Sequence, residues 1–323
     1  MRLLVTGGAG FIGSWFVRDL VAGAYPGLAG ASVTVLDALT YAGNRANLAP
    51  VAGRIRFVQG DIGDPVLVDE LMTGHDAVVH FAAETHVDRS LTAGARFVTT
   101  NVLGTQVLLD AAVRHGVRRF LHVSTDEVYG SIDTGAWTEE QPLAARSPYS
   151  AAKAGSDLLA LAYHRTYGLP VVVTRCSNNY GPYQFPEKVV PLFVTRLLDG
   201  LTVPLYGDGA NVRDWLHVSD HCHGIALALT GGRDGEVYHI GGGTELTNKE
   251  LTARILDACD AGWESVVPVA DRPGHDRRYA LDHAKISREL GYRPRVVLAE
   301  GLAATVTWYR DNRRWWEPLR ANA

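Results

Sequence analysis

The chain has 323 residues, 46% hydrophobic and 20% charged, with a formal net charge of −4. This balance allows a large core and about two domains, and excludes a disordered protein. A negative total argues against a nucleic-acid or anionic-membrane surface, and no run approaches the ~18 apolar residues that a membrane span needs.

"MRLLVTGG" has no apolar stretch of signal-peptide length, so a cytoplasmic protein is expected. The first half then alternates apolar runs with helical patterns. "RLLVT" (2–6), "SVTVLD" (32–37), "IRFVQG" (55–60), "DAVVHFAA" (76–83), "VRRFLHVS" (117–124) and "LPVVVTR" (169–175) read as strands covered on both faces. The segments 11–23, 65–74, 95–116 and 148–168 have helical spacing and end at glycine. Such alternation implies an α/β fold with a doubly wound parallel sheet of Rossmann type and right-handed crossovers. Beyond Arg175 the regularity falls, with Pro182, Pro186, Pro191 and Pro204 marking loops. Helical patterns resume at 217–230, 247–259, 282–290 and 299–312. We expect a dinucleotide-binding domain of residues 1–175 plus about 212–240. A smaller, partly interleaved lobe would take about 176–211 and 241–323. The tail "RRWWEPLRANA" carries no evident chemistry and is read as packing or an interface.

Between the first strand and the first helix, "VTGGAGFIGS" places Gly7, Gly10 and Gly13 at the spacing of a dinucleotide fingerprint. Gly7 allows the tight turn, Gly10 the approach of a pyrophosphate, and Gly13 close helix–strand packing. The helix start adds open N–H donors and a positive dipole end. Asp37 ends the second strand, where a carboxylate accepts from both ribose hydroxyls and repels a 2′-phosphate. NAD is therefore favoured over NADP, although Arg45 lies close by in sequence. Asp61 and Ile62 follow the third strand and are placed to meet the adenine; a helix N-cap is the plainer reading of Asp61. Cys176, Cys222 and Cys259 lie far apart without C-x-x-C or histidine at ligand spacing. They read as small buried hydrophobes, and no metal is expected.

The fifth strand runs into "STDEVYGS", two hydroxyls followed by two adjacent acids, which are costly behind a buried strand unless solvated, paired or used. Further on, Tyr149 and Lys153 stand i, i+4 on one helix face. An ammonium there would lower the tyrosine pKa and make Tyr149 a usable proton acceptor.

With these motifs the chain resembles the extended short-chain dehydrogenase/reductase family over essentially its full length. The run Thr125-Asp126-Glu127 resembles the sugar-nucleotide 4,6-dehydratases of that family, as do "LTYAGNRANL" (39–48), "FAAETHVDRS" (81–90), "SNNYGPYQFPEKVVP" (177–191), "YGDGANVRDWLHVSDH" (206–221) and "ADRPGHDRRYALD" (270–282). Trp15 departs from the smaller or polar residues usual in the first helix. The resemblance implies dTDP-glucose as substrate and NAD as cofactor. In the implied reaction Tyr149 takes the proton of the glucosyl 4-OH as hydride leaves C4, while Thr125 positions O4 and Lys153 holds the nicotinamide ribose. Glu127 then removes the C5 proton as base and Asp126 protonates the departing 6-OH as acid. Two neighbouring carboxyls must therefore hold opposite protonation states. Since side chains alternate along a strand, the chain must already be turning at Asp126.

The resemblance also implies further cofactor contacts from Phe11, Ile12, Leu39 and Thr40, from Phe81, Ala82 and Ala83, and from Thr100 and Asn179. For the sugar nucleotide it implies Thr85, Asn178, Lys188 and Val189, with Pro204, Leu205 and Tyr206 flanking the base. Arg213, Asn248, Arg272 and His275 would hold the diphosphate and ribose; planar guanidinium forks suit phosphate oxygens. His86, His217 and His221 lack metal-like partners and are read as structural. A homodimer pairing helices 94–115 and 148–167 across a two-fold axis is implied as well. Readings still open are a UDP-glucose 4,6-dehydratase, a sugar-nucleotide 4-epimerase and, from another class, a non-catalytic NAD-binding protein.

Overall fold

The apolar runs of the first half become β1 (Arg2–Thr6), β2 (Ser32–Asp37), β3 (Arg56–Gln59), β4 (Ala77–His80), β5 (Arg119–Thr125) and β6 (Val171–Cys176) of a computed structural model, which describes residues 1–271 and 274–320. Later strands are β7 (Asn178–Tyr180), β8 (Val203–Tyr206), β9 (Val212–His217), β10 (Glu236–Ile240), β11 (Glu245–Thr247) and β12 (Val266–Val269). Seven of them form one parallel sheet in the order β10-β6-β5-β4-β1-β2-β3. This is the doubly wound topology expected from the alternation, and its order reverses at the β1/β4 pair. In such sheets the crevice at the carboxyl ends of the strands beside the reversal is the ligand site.

Both faces of the sheet are covered, which is why its strands are apolar throughout. One cluster packs Phe16, Val17, Ile225 and Leu229 against one face, and Leu108, Leu109, Ala160 and Tyr163 belong to a second. A third cluster, with Tyr180, Phe193, Trp215, Leu251, Leu302 and Trp316, gathers the later elements around the helices Val189–Leu198, Asn248–Ala258 and Leu298–Asp311. β10 returns to the large sheet from this later part of the chain and pairs with β6.

One helix departs from expectation. The stretch read as a single helix over 95–116 consists of Gly94–Phe97, a π-helical segment Val98–Gly104, and Thr105–Arg114. The widened turn lets the Asn101 side chain bond both backbone groups of Glu84, accepting from its N–H at 2.8 Å and donating to its carbonyl at 3.0 Å. Gly104 passes Ile62 so closely that a Cβ would lie 2.7 Å from the Ile62 side chain. Bulges of this kind cluster at functional sites, and this one shapes the wall that carries Thr100.

The tryptophan-rich tail forms a helix, Arg313–Arg320, that packs rather than hangs free. Trp316 is fully buried and donates from Nε1 to the Tyr309 carbonyl at 2.7 Å. Trp315 Nε1 donates to Asn47 Oδ1 at 2.8 Å, and Asn47 Nδ2 donates to the Ala9 carbonyl at 2.9 Å. The tail thereby braces the glycine loop. Trp316→Ala is expected to cost about 3–5 kcal/mol of stability, read as a fall in the denaturation midpoint; an unchanged midpoint would show that the tail does not brace the fold.

Candidate functional site

A cavity of about 540 Å³ opens along the carboxyl edge of the sheet. At one end lies the glycine loop. Gly7 adopts φ +68°, and a Cβ there would stand 2.5 Å from the Ala82 backbone nitrogen; one on Gly13 would stand 2.3 Å from the Gly7 carbonyl. Gly10 caps the helix Phe11–Ala22 with no side-chain bond to its first turn. An anion at this helix start therefore meets open N–H groups and the positive dipole end. Phe11 and Ile12 line the cavity with these glycines.

Asp37 ends β2 facing this loop. Its Oδ2 accepts from Ala9 N–H at 2.8 Å and its Oδ1 from Leu39 N–H at 2.8 Å. Burial pushes its carboxyl upward against these two bonds. Two oxygens with about four lone-pair sites still leave room for ribose hydroxyls. Leu39 itself does not line the cavity; it holds Asp37 through its backbone in a left-handed conformation, φ 51°. Arg45 is stacked over Phe57, 4.9 Å from the ring centre, and does not line the cavity. Asp61 and Ile62 line the cavity with Thr40. Asp61 does not cap a helix: Asp64 takes that place, accepting from Val66 and Leu67 N–H, while Asp61 accepts from Gly63 N–H at 2.7 Å. Phe81, Ala82, Ala83, Thr100 and Asn179 lie along the same cavity. These residues, a cradle that a Cβ would fill included, fit a dinucleotide.

At the other end β5 stops at Thr125, and Asp126–Tyr129 form one turn of 3₁₀ helix. Thr125 caps this turn, accepting from Glu127 N–H at 3.3 Å and donating to Asp126 Oδ1 at 3.2 Å. The expected turn at Asp126 is present. With three residues per turn, successive side chains stand about 120° apart instead of on opposite faces. Asp126 and Glu127 accordingly both line the cavity. Asp126 is 2% exposed, and its Oδ2 has no partner. Burial first, and the Glu127 charge second, push its carboxyl well above the ordinary range, with Arg213 opposing. Its surroundings thus favour the neutral form of this carboxyl.

Tyr149 and Lys153 reach the same end from the helix Pro148–Tyr167, which starts with a Ser147/Ser150 capping box and a proline in its first turn. The Tyr149 hydroxyl lies beside the Thr125 side chain, which favours the ionised tyrosine. Lys153 Nζ donates to the Val123 carbonyl at 2.7 Å. One expectation fails here. Tyr149 is not lowered on balance: burial, then the Glu127 charge, raises it well above its ordinary value. The ammonium itself is pushed down by burial. The i, i+4 spacing brings the two side chains to one cavity, but burial outweighs their interaction.

Thr85, Asn178 and Lys188 complete the lining of this end. Thr85 Oγ1 lies 3.4 Å from the Tyr41 hydroxyl, and Lys188 donates to the Thr85 carbonyl at 3.0 Å. Asn178 keeps a buried, unpartnered Oδ1. Val189 opens the helix behind Lys188 and does not line the cavity. Pro204, Leu205 and Tyr206 lie on β8, away from the lining, where Tyr206 meets His275 edge-on. Arg213 is buried on β9 and donates to the Val212 and Asp276 carbonyls, at 2.7 and 3.0 Å. Asn248 N–H bonds the neighbouring Asn211 carbonyl. These residues form one group beside the cavity, tied to it through the Arg213 charge felt at Asp126. Arg272 lies outside the described residues. His86 and His217 cap helices, and His221, pushed down to about 3 by burial, sits 2.9 Å from Asn179 Oδ1.

Sequence reading missed Tyr41, Glu84, Gln184, Phe185 and Glu187, which also line the cavity. Tyr41 and Glu187 lie inside stretches that were singled out, and Arg89 bridges them, 4.1 Å from the Tyr41 ring centre and 3.4 Å from Glu187 Oε2. Only their long-range proximity marks them as cavity residues.

A family profile described as GDP-mannose 4,6 dehydratase matches residues 4–305, and the chain belongs to that family. Among its relatives, the dTDP-glucose 4,6-dehydratase of Streptomyces antibioticus is 68% identical over 321 residues, covering 99% of this chain and 96% of that protein. The dTDP-glucose 4,6-dehydratase of Streptomyces venezuelae, solved with NAD and dTDP bound, superposes with a TM-score of 0.98 at 68% identity, covering 99% of this chain and all of that one. A UDP-glucose 4-epimerase of Thermotoga maritima shares the fold at a TM-score of 0.90 but only 34% identity, over 97% of this chain and all of that one.

Proposed function

We propose that this protein converts dTDP-glucose to dTDP-4-keto-6-deoxyglucose by oxidation at C4, elimination of water across C5 and C6, and reduction at C6. The observation that carries this reading is the buried Asp126 beside Glu127 on the turn after β5, both lining one cavity, where burial favours the neutral form of Asp126. High identity to dTDP-glucose 4,6-dehydratases supports thymine over uracil. NAD, when bound, supplies the acceptor for the C4 hydride, its donor at C6, and a positive ring charge that favours a tyrosinate.

The protein's own part is proton transfer and positioning. Thr125 orients O4 while Tyr149 takes the proton of the 4-hydroxyl. The 4-ketone acidifies C5–H, and Glu127 removes that proton as base. Asp126, already protonated, gives its proton to the 6-hydroxyl, which leaves as water. Glu127 exchanges this proton with solvent and then delivers one to C5. At the end Tyr149 has gained one proton and Asp126 has lost one. The Thr125 hydroxyl, which donates to Asp126 and stands beside Tyr149, is the path by which the proton returns. The cofactor lies with residues 1–175 plus about 212–240, and the sugar nucleotide lies mainly with the remaining lobe, where Asn178 and Lys188 meet it together with Arg213 from the cofactor domain.

Incubation with dTDP-glucose and with UDP-glucose tests the assignment: a 4-keto-6-deoxy sugar is expected from the first, and an epimerised sugar from either would overturn it. Glu127→Gln is expected to cut product formation about 10²- to 10⁴-fold and to abolish deuterium incorporation from solvent at C5; unchanged incorporation would remove Glu127 from the scheme.

The protein acts in the cytoplasm as a homodimer. Helices over 87–104 and 148–167 leave Leu91, Val98, Leu103 and Leu158 exposed, a face suited to a second copy of the chain. Light scattering is expected to give twice the chain mass, and Leu158→Glu to halve it; a monomeric parent protein would refute the pairing.

A further inference from the structure

Behind Tyr149 lies a buried polar cluster that the reaction scheme leaves unused. Tyr149, Lys153 and Asp157 follow at i, i+4 and i+8 on the helix Pro148–Tyr167, so one face carries all three. Asp157 is completely buried. Its Oδ2 accepts from Arg175 Nε on β6 at 2.9 Å, and its Oδ1 lies 3.2 Å from His122 Nε2 on β5. Arg175 also donates to the Tyr129 hydroxyl, which lies 2.7 Å from His239 Nε2 on β10.

The Lys153 ammonium donates to a neutral carbonyl, that of Val123. The groups facing it are His80 on β4, His122 on β5, Cys176 on β6 and Asp157 on its own helix, with Asp126 and Glu127 beyond Tyr149. Burial keeps both imidazoles and the thiol neutral. Three fixed charges remain: Lys153 and Arg175 positive, Asp157 negative. Their sum is one positive charge, which an ionised Tyr149 cancels.

We propose that Asp157 is a positioning residue for the oxidation step, a counter-ion shared between Lys153 and Arg175 that keeps one net positive charge behind Tyr149. A neutral cluster of four groups is then completed at the moment the tyrosine ionises. Burying opposite charges together in this way avoids the cost of an isolated ion. The inference rests on Tyr149 being the base of the proposed reaction. Burial lowers the Lys153 ammonium, and the Asp157 charge is the largest influence raising it. Against burial, His122 and Arg175 hold the Asp157 carboxyl down at about 2.

The test is the pH profile of kcat for the full enzyme turning over dTDP-glucose. Asp157→Asn leaves two cations without a counter-ion, so Lys153 sheds its proton earlier and the high-pH limb moves down by about one pH unit or more. Arg175→Met leaves Asp157 to Lys153 alone, and the limb moves up. The double variant keeps the single charge of Lys153, and its limb returns toward that of the unmodified enzyme. Opposite shifts with restoration cannot come from damage to folding. If Asp157→Asn fails to fold, the upward shift of Arg175→Met and the return in the double variant decide the matter. Limbs that stay in place in the variants that fold would overturn the role of Asp157 alone. Absence of turnover by the unmodified enzyme would instead overturn the reaction, and this role with it.

Discussion

Everything at the catalytic end depends on how the chain leaves β5. An extended continuation would send Asp126 and Glu127 to opposite faces of the sheet. The Thr125 hydroxyl prevents this by accepting from Glu127 N–H, which closes a 3₁₀ turn at once and aims both acids into one cavity. The same hydroxyl donates to Asp126 and stands beside Tyr149, so one side chain sets the turn and orients Asp126 toward the tyrosine. In the proposed reaction the redox and elimination halves meet at Thr125.

The second constraint is burial. Asp126 is 2% exposed while Glu127 is half-buried, and removing a carboxylate from water costs more than bringing it near a like charge. The acid is therefore made by its surroundings, with Glu127 adding to the effect and Arg213 opposing it. Burial acts in the same sense at Tyr149 and Lys153, disfavouring both charged forms. That explains why the cation–tyrosine argument from helix spacing fails on its own. The tyrosine has to draw on the whole buried charge balance, in which Asp157 and Arg175 take part.

The sheet and the glycine loop were legible because their signals are local. Apolar runs make buried strands, and Gly7-x-x-Gly10-x-x-Gly13 between a strand and a helix has few other uses. The acid pair was legible because two carboxylates behind a buried strand demand an explanation. The π-helical segment was not, since it follows from Asn101 reaching Glu84 and Gly104 passing Ile62, contacts that span other elements. Tyr41 and Glu187 were missed for the same reason: Arg89 joins them from a third segment. The tail, which offered no chemistry, proved to brace the glycine loop through Trp315 and Asn47.

The central claim of the proposed reaction is that Asp126 is the protonated carboxyl of the pair at neutral pH. Infrared difference spectroscopy between the unmodified protein and Asp126→Asn tests it directly. The account predicts that the substitution removes a protonated carboxyl C=O band at neutral pH. Loss of an ionised carboxylate band instead would contradict it.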